Sequence, residues 1–225
     1  CAYFNNLNDL VVSVDTSIEG IHIPLGTDLA IQSRRAVLRA VSDLATFGSS
    51  PICVFVAMSL PNSSQQIEFD KIAQGLRKAL IEYDIFLAGG DITKHEGIAI
   101  FSITVFGDGA NKELGRNKAK AEDLIVVSGP IGDSFLGLEL LKKKISINSL
   151  EDKNLINKFL IPDPKIQLGK KIKSYATSII DISDGLLSEL HHLSENSEVG
   201  ANIYIKDIPF SLAANNYLEA DLYNY

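Results

Sequence analysis

The chain has 225 residues, 46% of them hydrophobic and 22% charged, a balance that suits one large or two modest globular domains and excludes a disordered chain. Its net charge of −7 argues against nucleic acid as a partner, because binding a phosphate backbone needs clustered Lys and Arg. Two cysteines, Cys1 and Cys53, build neither a disulfide framework nor a zinc site, so a reducing, cytoplasmic setting is expected.

In chain order, LVVSVD (10–15) reads as a strand that ends on Asp15. SRRAVLRAVSDLATFG (33–48) follows with Val37, Val41 and Leu44 at helical spacing and Gly48 as a stop. ICVFVAMSL (52–60) is a second strand. In NSSQQIEFDKIAQGLRKALIEY (62–83), Ser63 and Gln66 resemble a capping box and Ile67, Ile72, Leu76, Ala79 and Tyr83 continue a helical face. IFLAGGD (85–91) and IAIFSITVF (98–106) are further strands, as are LIVVSG (124–129), IIDI (179–182) and ANIYI (201–205). Helices are expected over 133–145, 165–176 and 184–195. The apolar runs fall well short of the ~18 residues of a membrane span, so no membrane partner is expected, and no signal peptide is found.

Mixed strands and helices define an α/β or α+β protein. The polar stretch GDGANKELGRNKAKAED (107–123) suggests a boundary, giving a first domain over 1–110 and a second over 111–225. Lys142, Lys143 and Lys144 read as the solvated end of a helix, and His191 and His192 as surface residues.

Three apolar runs end in carboxylates beside small residues: VVSVDTS with Asp15, LAGGDIT with Asp91, and IIDISDG with Asp181 and Asp184. Some of these residues, and Asp43 of the intervening helix, have an ordinary explanation. Ser183 or Asp184 can cap the helix whose face is Leu186, Leu190 and Leu193. The Gly-Gly before Asp91 suits a turn or the close approach of a phosphate. Asp43 lies four residues after Arg39, a spacing for a surface ion pair. Together they suggest more, because open sheets gather ligand sites at the carboxyl ends of strands and magnesium is shared between carboxylates and substrate phosphates. Such a site also reconciles an acidic chain with a phosphate substrate. No P-loop, no G-x-S-x-G elbow and no Cys-His pairing competes with it.

VDTSIEGIHI, AVSDLATFGSSP, LAGGDIT, GRNKAKAEDLIVVSGPIGDSFLGL and IIDISDGLLSEL, in this order, resemble the thiamine-monophosphate kinase family of the aminoimidazole ribonucleotide synthetase and selenophosphate synthetase superfamily. The resemblance implies a two-domain fold with a mixed N-terminal sheet that dimerises and a C-terminal α/β domain. It implies transfer of the γ-phosphoryl group of ATP to thiamine monophosphate with several Mg2+ ions. Ser13, the Val14 backbone, Asp15, Asp43, Asp91, Asp181 and Asp184 would bind the metal. Gly90, Asp91, Arg116 and Ser183 would contact ATP, and His22 thiamine monophosphate. No acid or base is assigned, because the acceptor phosphate oxygen is already a nucleophile. A homodimer would suit the apolar strands 52–58 and 98–106. The alternatives are a superfamily kinase or synthetase with another acceptor, and a non-catalytic nucleotide-binding module.

The sequence departs from the family pattern in places. The Gly-Asp-Asp that the family carries before the residues matching Cys1-Ala2, and the Gly-Glu-Asp-Tyr-Glu-Leu that it carries after the position of Tyr225, lie beyond the ends of this sequence, and with them further expected metal ligands and substrate contacts. Lys165 stands where the family favours Arg, Val14 for Thr, Glu122 for Gly and Glu189 for Asp.

Overall fold

β1 (Val11–Ile18) alternates as a one-sided strand should: Val12 and Val14 are exposed, while Ser17 is buried and Ser13 and Asp15 are half-buried. The computed structural model describes residues 9–110, 114–143 and 149–222. They group into two compact units, Cys1–Gly115 with Asp163–Asp181, and Arg116–Pro162 with Ile182–Tyr225.

In the first unit, β1 is followed by α1 (Leu29–Ala45), β2 (Ser50–Pro61), α2 (Gln66–Glu82), β3 (Phe86–His95) and β4 (Ile100–Asp108), with α5 (Ile166–Ile172) added from later in the chain. The sheet has the order β1-β4-β2-β3, with β2 and β3 parallel and the other pairs antiparallel. α1 lies against β1, β4 and β2, and α2 and α5 pack on α1. Its stripe of Val37, Leu38, Val41 and Leu44 is fully buried with Val54, Ile103 and Val105 of the sheet, which is the usual outcome for apolar residues at helical and strand periods. Asp28 caps α1 by accepting the Ala30 N–H at 2.9 Å, and Gly48, at φ +59°, supplies the left-handed residue that ends the turn beyond it.

Two local expectations change here. The cap of α2 is Gln65 rather than Ser63, with the Gln65 N–H donating to Glu68 at 2.8 Å, because the helix starts at Gln66. Gly89, Gly90 and Asp91 form no turn. They lie inside β3, beyond a bulge where Val54 pairs with Leu87 and Phe55 with Gly89. At Gly90 a Cβ would stand 2.1 Å from the Val56 carbonyl oxygen, so the glycine is required by the approach of β2.

The second unit contains α3 (Asp133–Lys143), α4 (Leu150–Leu160), α6 (Leu186–Ser197), a short 3-10 turn at Ile205–Asp207 and α7 (Leu212–Leu222). Leu140, Leu155 and Ile156 make its core, with Leu136, Leu160 and Tyr217 packed around them. Gly137 lets α3 approach α4, since a Cβ there would meet the Leu155 carbonyl oxygen at 2.1 Å.

Among the described residues, 124–129, 179–182 and 201–205 form no strand ladder, contrary to expectation. A strand requires a neighbour as well as apolar side chains. Leu124 and Val126 are 90% and 83% exposed, and Tyr204 and Ile205 are also open to solvent. Near 179–182 the pairing is a single bond, from the Ile179 N–H to the Gly115 carbonyl at 3.1 Å. The expected helix over 165–176 is shorter, ending at Ile172, and the end of the one expected over 133–145, with Lys144, lies outside the described residues. Helices α4 and α7 lie outside the segments expected to be helical.

Candidate functional site

A carboxylate cluster lies between β1 and α1. The period of β1 turns Ser13 and Asp15 toward the helix, and the last turns of α1 bring Arg39 and Asp43 to meet them. The Ser13 hydroxyl donates to the Asp43 carboxylate. Arg39 does not pair with Asp43, as its spacing suggested; its guanidinium reaches Asp15 at 3.3 Å, with about a quarter of each side chain exposed. The reason is geometric. A partner across the β1–α1 interface is half-buried and desolvated, which strengthens the attraction beyond that of an exposed i,i+4 pair.

Burial pushes the Asp15 carboxyl above the ordinary carboxylate value, Arg39 pulls it back, and the charge of Asp43 pushes it further up. Arg35, one turn before Arg39 on the same helix, is 9% exposed, and burial followed by repulsion from Arg39 lowers its pKa to about 10. Two arginines and two carboxylates therefore share a partly dehydrated space. His22 sits in the turn after β1, where its Nδ1 accepts the Ile18 N–H at 3.0 Å. That bond places the ring proton on Nε2, leaving an N–H donor on the other side of the ring. Val14 turns its side chain to the opposite face of the sheet, 64% exposed.

Asp91 stands apart from this cluster. Gly90 is in the same cross-strand row as Asp15, through Ile103 and Val56, which is three strand spacings or about 14 Å. Asp91 is one residue further along β3, beside Ala57, with its exposed side chain on the other face. Asp181 is half-buried at the end of the first unit.

In the second unit Arg116 is exposed, and its carbonyl accepts the Ser197 hydroxyl at 3.3 Å. Ser183 and Asp184 are exposed in the turn that opens α6. Neither side chain caps the helix. The N-cap is Gly185, at φ +112° and ψ 156°, a conformation open essentially to glycine alone. Glu189, 5% exposed, reaches back to this turn from within the helix. The sequence reading gives it no role beyond a departure from the family's Asp, although a carboxylate at position i+3 of the Leu186, Leu190, Leu193 stripe is the signal for one. A groove of about 630 Å³ elsewhere in the first unit, lined by Tyr83, Asp163 and Lys165 among others, contains none of the expected site residues.

Residues 1–108 match the family model described as AIR synthase related protein, N-terminal domain. A thiamine-monophosphate kinase of Buchnera aphidicola subsp. Schizaphis graminum is 34% identical over 222 residues, 97% of this chain and 67% of that relative's length. The chain belongs to the thiamine-monophosphate kinase family. The crystal structure of the thiamine monophosphate kinase from Aquifex aeolicus superposes with a TM-score of 0.88 at 29% identity, covering 94% of this chain and 72% of that one. A structure of AaThiL complexed with AMPPCP and TMP gives the same TM-score and identity, covering 94% of this chain and 68% of the other. This chain thus spans about two thirds of the kinases it resembles. None of its helices, among the described residues, is long and apolar enough to cross a membrane.

Proposed function

We propose that this protein transfers the terminal phosphoryl group of ATP to the phosphate of thiamine monophosphate, forming thiamine diphosphate. The observation that carries this reading is identity to a thiamine-monophosphate kinase across nearly the whole chain. The kinase of similar fold that is complexed with AMPPCP, an ATP analogue, and TMP supports the same pair of substrates.

The Ser13, Asp15 and Asp43 cluster suits magnesium. It offers hard oxygen donors, and two carboxylates held close in a partly buried place favour a cation between them. Among the described residues no group of three or more acidic, His or Cys side chains is assembled for a metal. The cluster therefore fits an ion that takes its remaining ligands from phosphate oxygens and water, the common arrangement for magnesium. When bound, such ions supply charge neutralisation to the polyphosphate.

The chain's own residues then have separate tasks. Ser13 holds Asp43 in place through its hydroxyl, and Arg39 restrains Asp15. The Nε2–H of His22 can donate to the acceptor substrate. The planar fork of Arg116 is suited to phosphate oxygens. Asp91, on the sheet face opposite the Ser13, Asp15 and Asp43 cluster, could serve only a separate ion, and Asp181 and Asp184 are proposed as further carboxylate ligands. No residue needs to remove a proton, because the attacking phosphate oxygen is already anionic. A homodimer formed through the first unit is supported by the exposed apolar side chains of β1, Val12 and Val14, on the sheet face away from α1.

Incubation with ATP, thiamine monophosphate and magnesium, followed by phosphorus NMR, tests the proposal. Signals of thiamine diphosphate and ADP in equal amounts are expected. ATP consumption only with another acceptor would overturn it.

A further inference from the structure

Two charged side chains of the first unit stand at a groove without a partner. The groove, of about 630 Å³, lies between the end of α2 with Glu82, Tyr83 and Asp84, the start of β2 with Ser50 and Pro51, and the segment that leads from Asp163 into α5. That volume falls within the range of about 300–1,000 Å³ common to small-molecule sites. Its walls are braced. The Asp163 carboxylate accepts hydrogen bonds from the Lys165 ammonium and the Tyr83 hydroxyl, which fixes the approach to α5. α5 in turn is seated so closely on α1 that a Cβ on Gly169 would stand 2.2 Å from the Ala45 carbonyl oxygen.

Pairing within the walls leaves a simple remainder. Glu82 is held by Arg34 at 2.6 Å and Asp163 by Lys165, so these charges are balanced. Asp84 and Lys170 also line the groove, and among the described residues neither side chain has an ion pair or a hydrogen bond. Asp84 follows α2 at φ +54°, the left-handed position where glycine is the usual residue, so a carboxylate stands at the rim where a helix commonly carries no side chain. Lys170 is half-buried on α5 with no counter-charge. Ser50 and Gln167 add uncommitted polar groups, and Pro51 and Pro164 add stiff apolar surface.

One negative and one positive charge left over decide what the groove can hold. A phosphate or nucleotide would meet the carboxylates of Glu82, Asp84 and Asp163 with Lys170 alone free to answer it. A simple amine would satisfy Asp84 and leave Lys170 facing a like charge. A molecule with an ammonium at one end and a carboxylate at the other satisfies both, and the carbon chain between them can lie along Pro51 and Pro164.

We propose that this groove is a second ligand site, taking a small linear zwitterion whose ammonium pairs with Asp84 and whose carboxylate pairs with Lys170. The site goes beyond the phosphoryl-transfer reading and does not rest on it, since none of its residues is among those expected to hold ATP, metal or thiamine monophosphate.

Saturation-transfer NMR titration of the wild-type protein with ω-amino acids from β-alanine to ε-aminocaproate tests this, the series serving as a ruler for the gap between the two charges. At least one member should saturate, and the alkylamine and alkanoate of the same length should each bind about ten-fold more weakly, the loss of one charge-assisted hydrogen bond. Inorganic phosphate should not compete. Two variants then assign the ends. Lys170→Met keeps the aliphatic stem, and Asp84→Asn keeps a residue that tolerates left-handed backbone. Each should weaken the zwitterion about ten-fold, while Lys170→Met leaves the affinity for the alkylamine no weaker and Asp84→Asn that for the alkanoate, a crossed pattern that a folding defect would not produce. No saturation by any member up to about 10 mM, a one-charge analogue that binds as well as the zwitterion, or an unaltered affinity in either variant would overturn the proposal.

Discussion

Replacing Arg39 by Met removes the charge that faces Asp15 while keeping most of the aliphatic stem. At 3.3 Å the attraction is about 5 kcal/mol for an effective dielectric constant of about 20. Desolvation of both ions, and the quarter of each side chain that remains exposed, reduce the net cost of removal to about 1–2 kcal/mol. For a chain of this size that corresponds to a fall in Tm of about 2–8 °C. The variant also leaves Asp15 and Asp43 facing each other with less positive charge nearby, so an added cation should bind better. Melting curves recorded over a magnesium series without nucleotide measure both effects. The variant should melt lower without magnesium and gain more from it than the wild type. An unchanged Tm without magnesium, or identical gains for the two proteins, would refute the assignment of this pair as a restrained half of a cation site.

Gly75 of α2 sits where a Cβ would come within 2.1 Å of the Ala30 carbonyl oxygen and 2.2 Å of Ser33 Oγ. Gly75→Ala should therefore cost about 1–3 kcal/mol through overpacking, outweighing the roughly 1 kcal/mol by which Ala favours a helix; a rise in Tm would contradict the close packing of α1 on α2. Asp28 caps α1 and binds Lys71 at 2.8 Å, and the hydrogen bond from Lys71 holds its carboxyl below the ordinary value. Because the folded value is depressed, its stabilisation is present above the unfolded carboxylate pKa of about 3.9 and is lost as the pH falls through the lower folded value. Asp28→Asn, which keeps the cap, should be slightly less stable than wild type at neutral pH and converge with it in strong acid, as followed by circular dichroism; a constant difference at all pH values would contradict the linkage. In the second unit, the Tyr217 hydroxyl donates to Asp152 at 2.7 Å, which is the first cause of a phenol pKa raised to about 12. Tyr217→Phe should lower the Tm by removing one charge-assisted bond worth about 1.5–3 kcal/mol at most, and a spectroscopic titration of tyrosines should lose one alkaline component while that of Tyr83, which burial also raises to about 12, remains.

Sequence periodicity located the elements that bear the first carboxylates because each is governed by local rules. VVSVD had the period of a strand, and the stripe Val37, Val41, Leu44 that of a helix, so Asp15 and Asp43 were recognisable as residues at the edge of buried surfaces. Their partners were not recognisable. Arg39 had a local candidate in Asp43 and a distant one in Asp15, and only the crossing of α1 over β1 decides between them. The same holds for GGD, where a glycine pair suited a turn until the proximity of β2 made Gly90 a strand residue. Strand-like segments at 124–129 and 201–205 were misread because apolar alternation reports a preference for a sheet and says nothing of whether a neighbouring strand is present. Glu189 lay within an otherwise Leu-rich face, a local conflict between pattern and burial that the turn it holds resolves.

The most direct measurement of the central claim is calorimetric binding of AMPPCP with magnesium and with EDTA, in the wild type and in Asp43→Asn. The account predicts binding by the wild type that requires magnesium and is lost with EDTA, together with a marked weakening in Asp43→Asn at unchanged fold. Equal binding with and without the metal, or full retention of affinity in the variant, would contradict it.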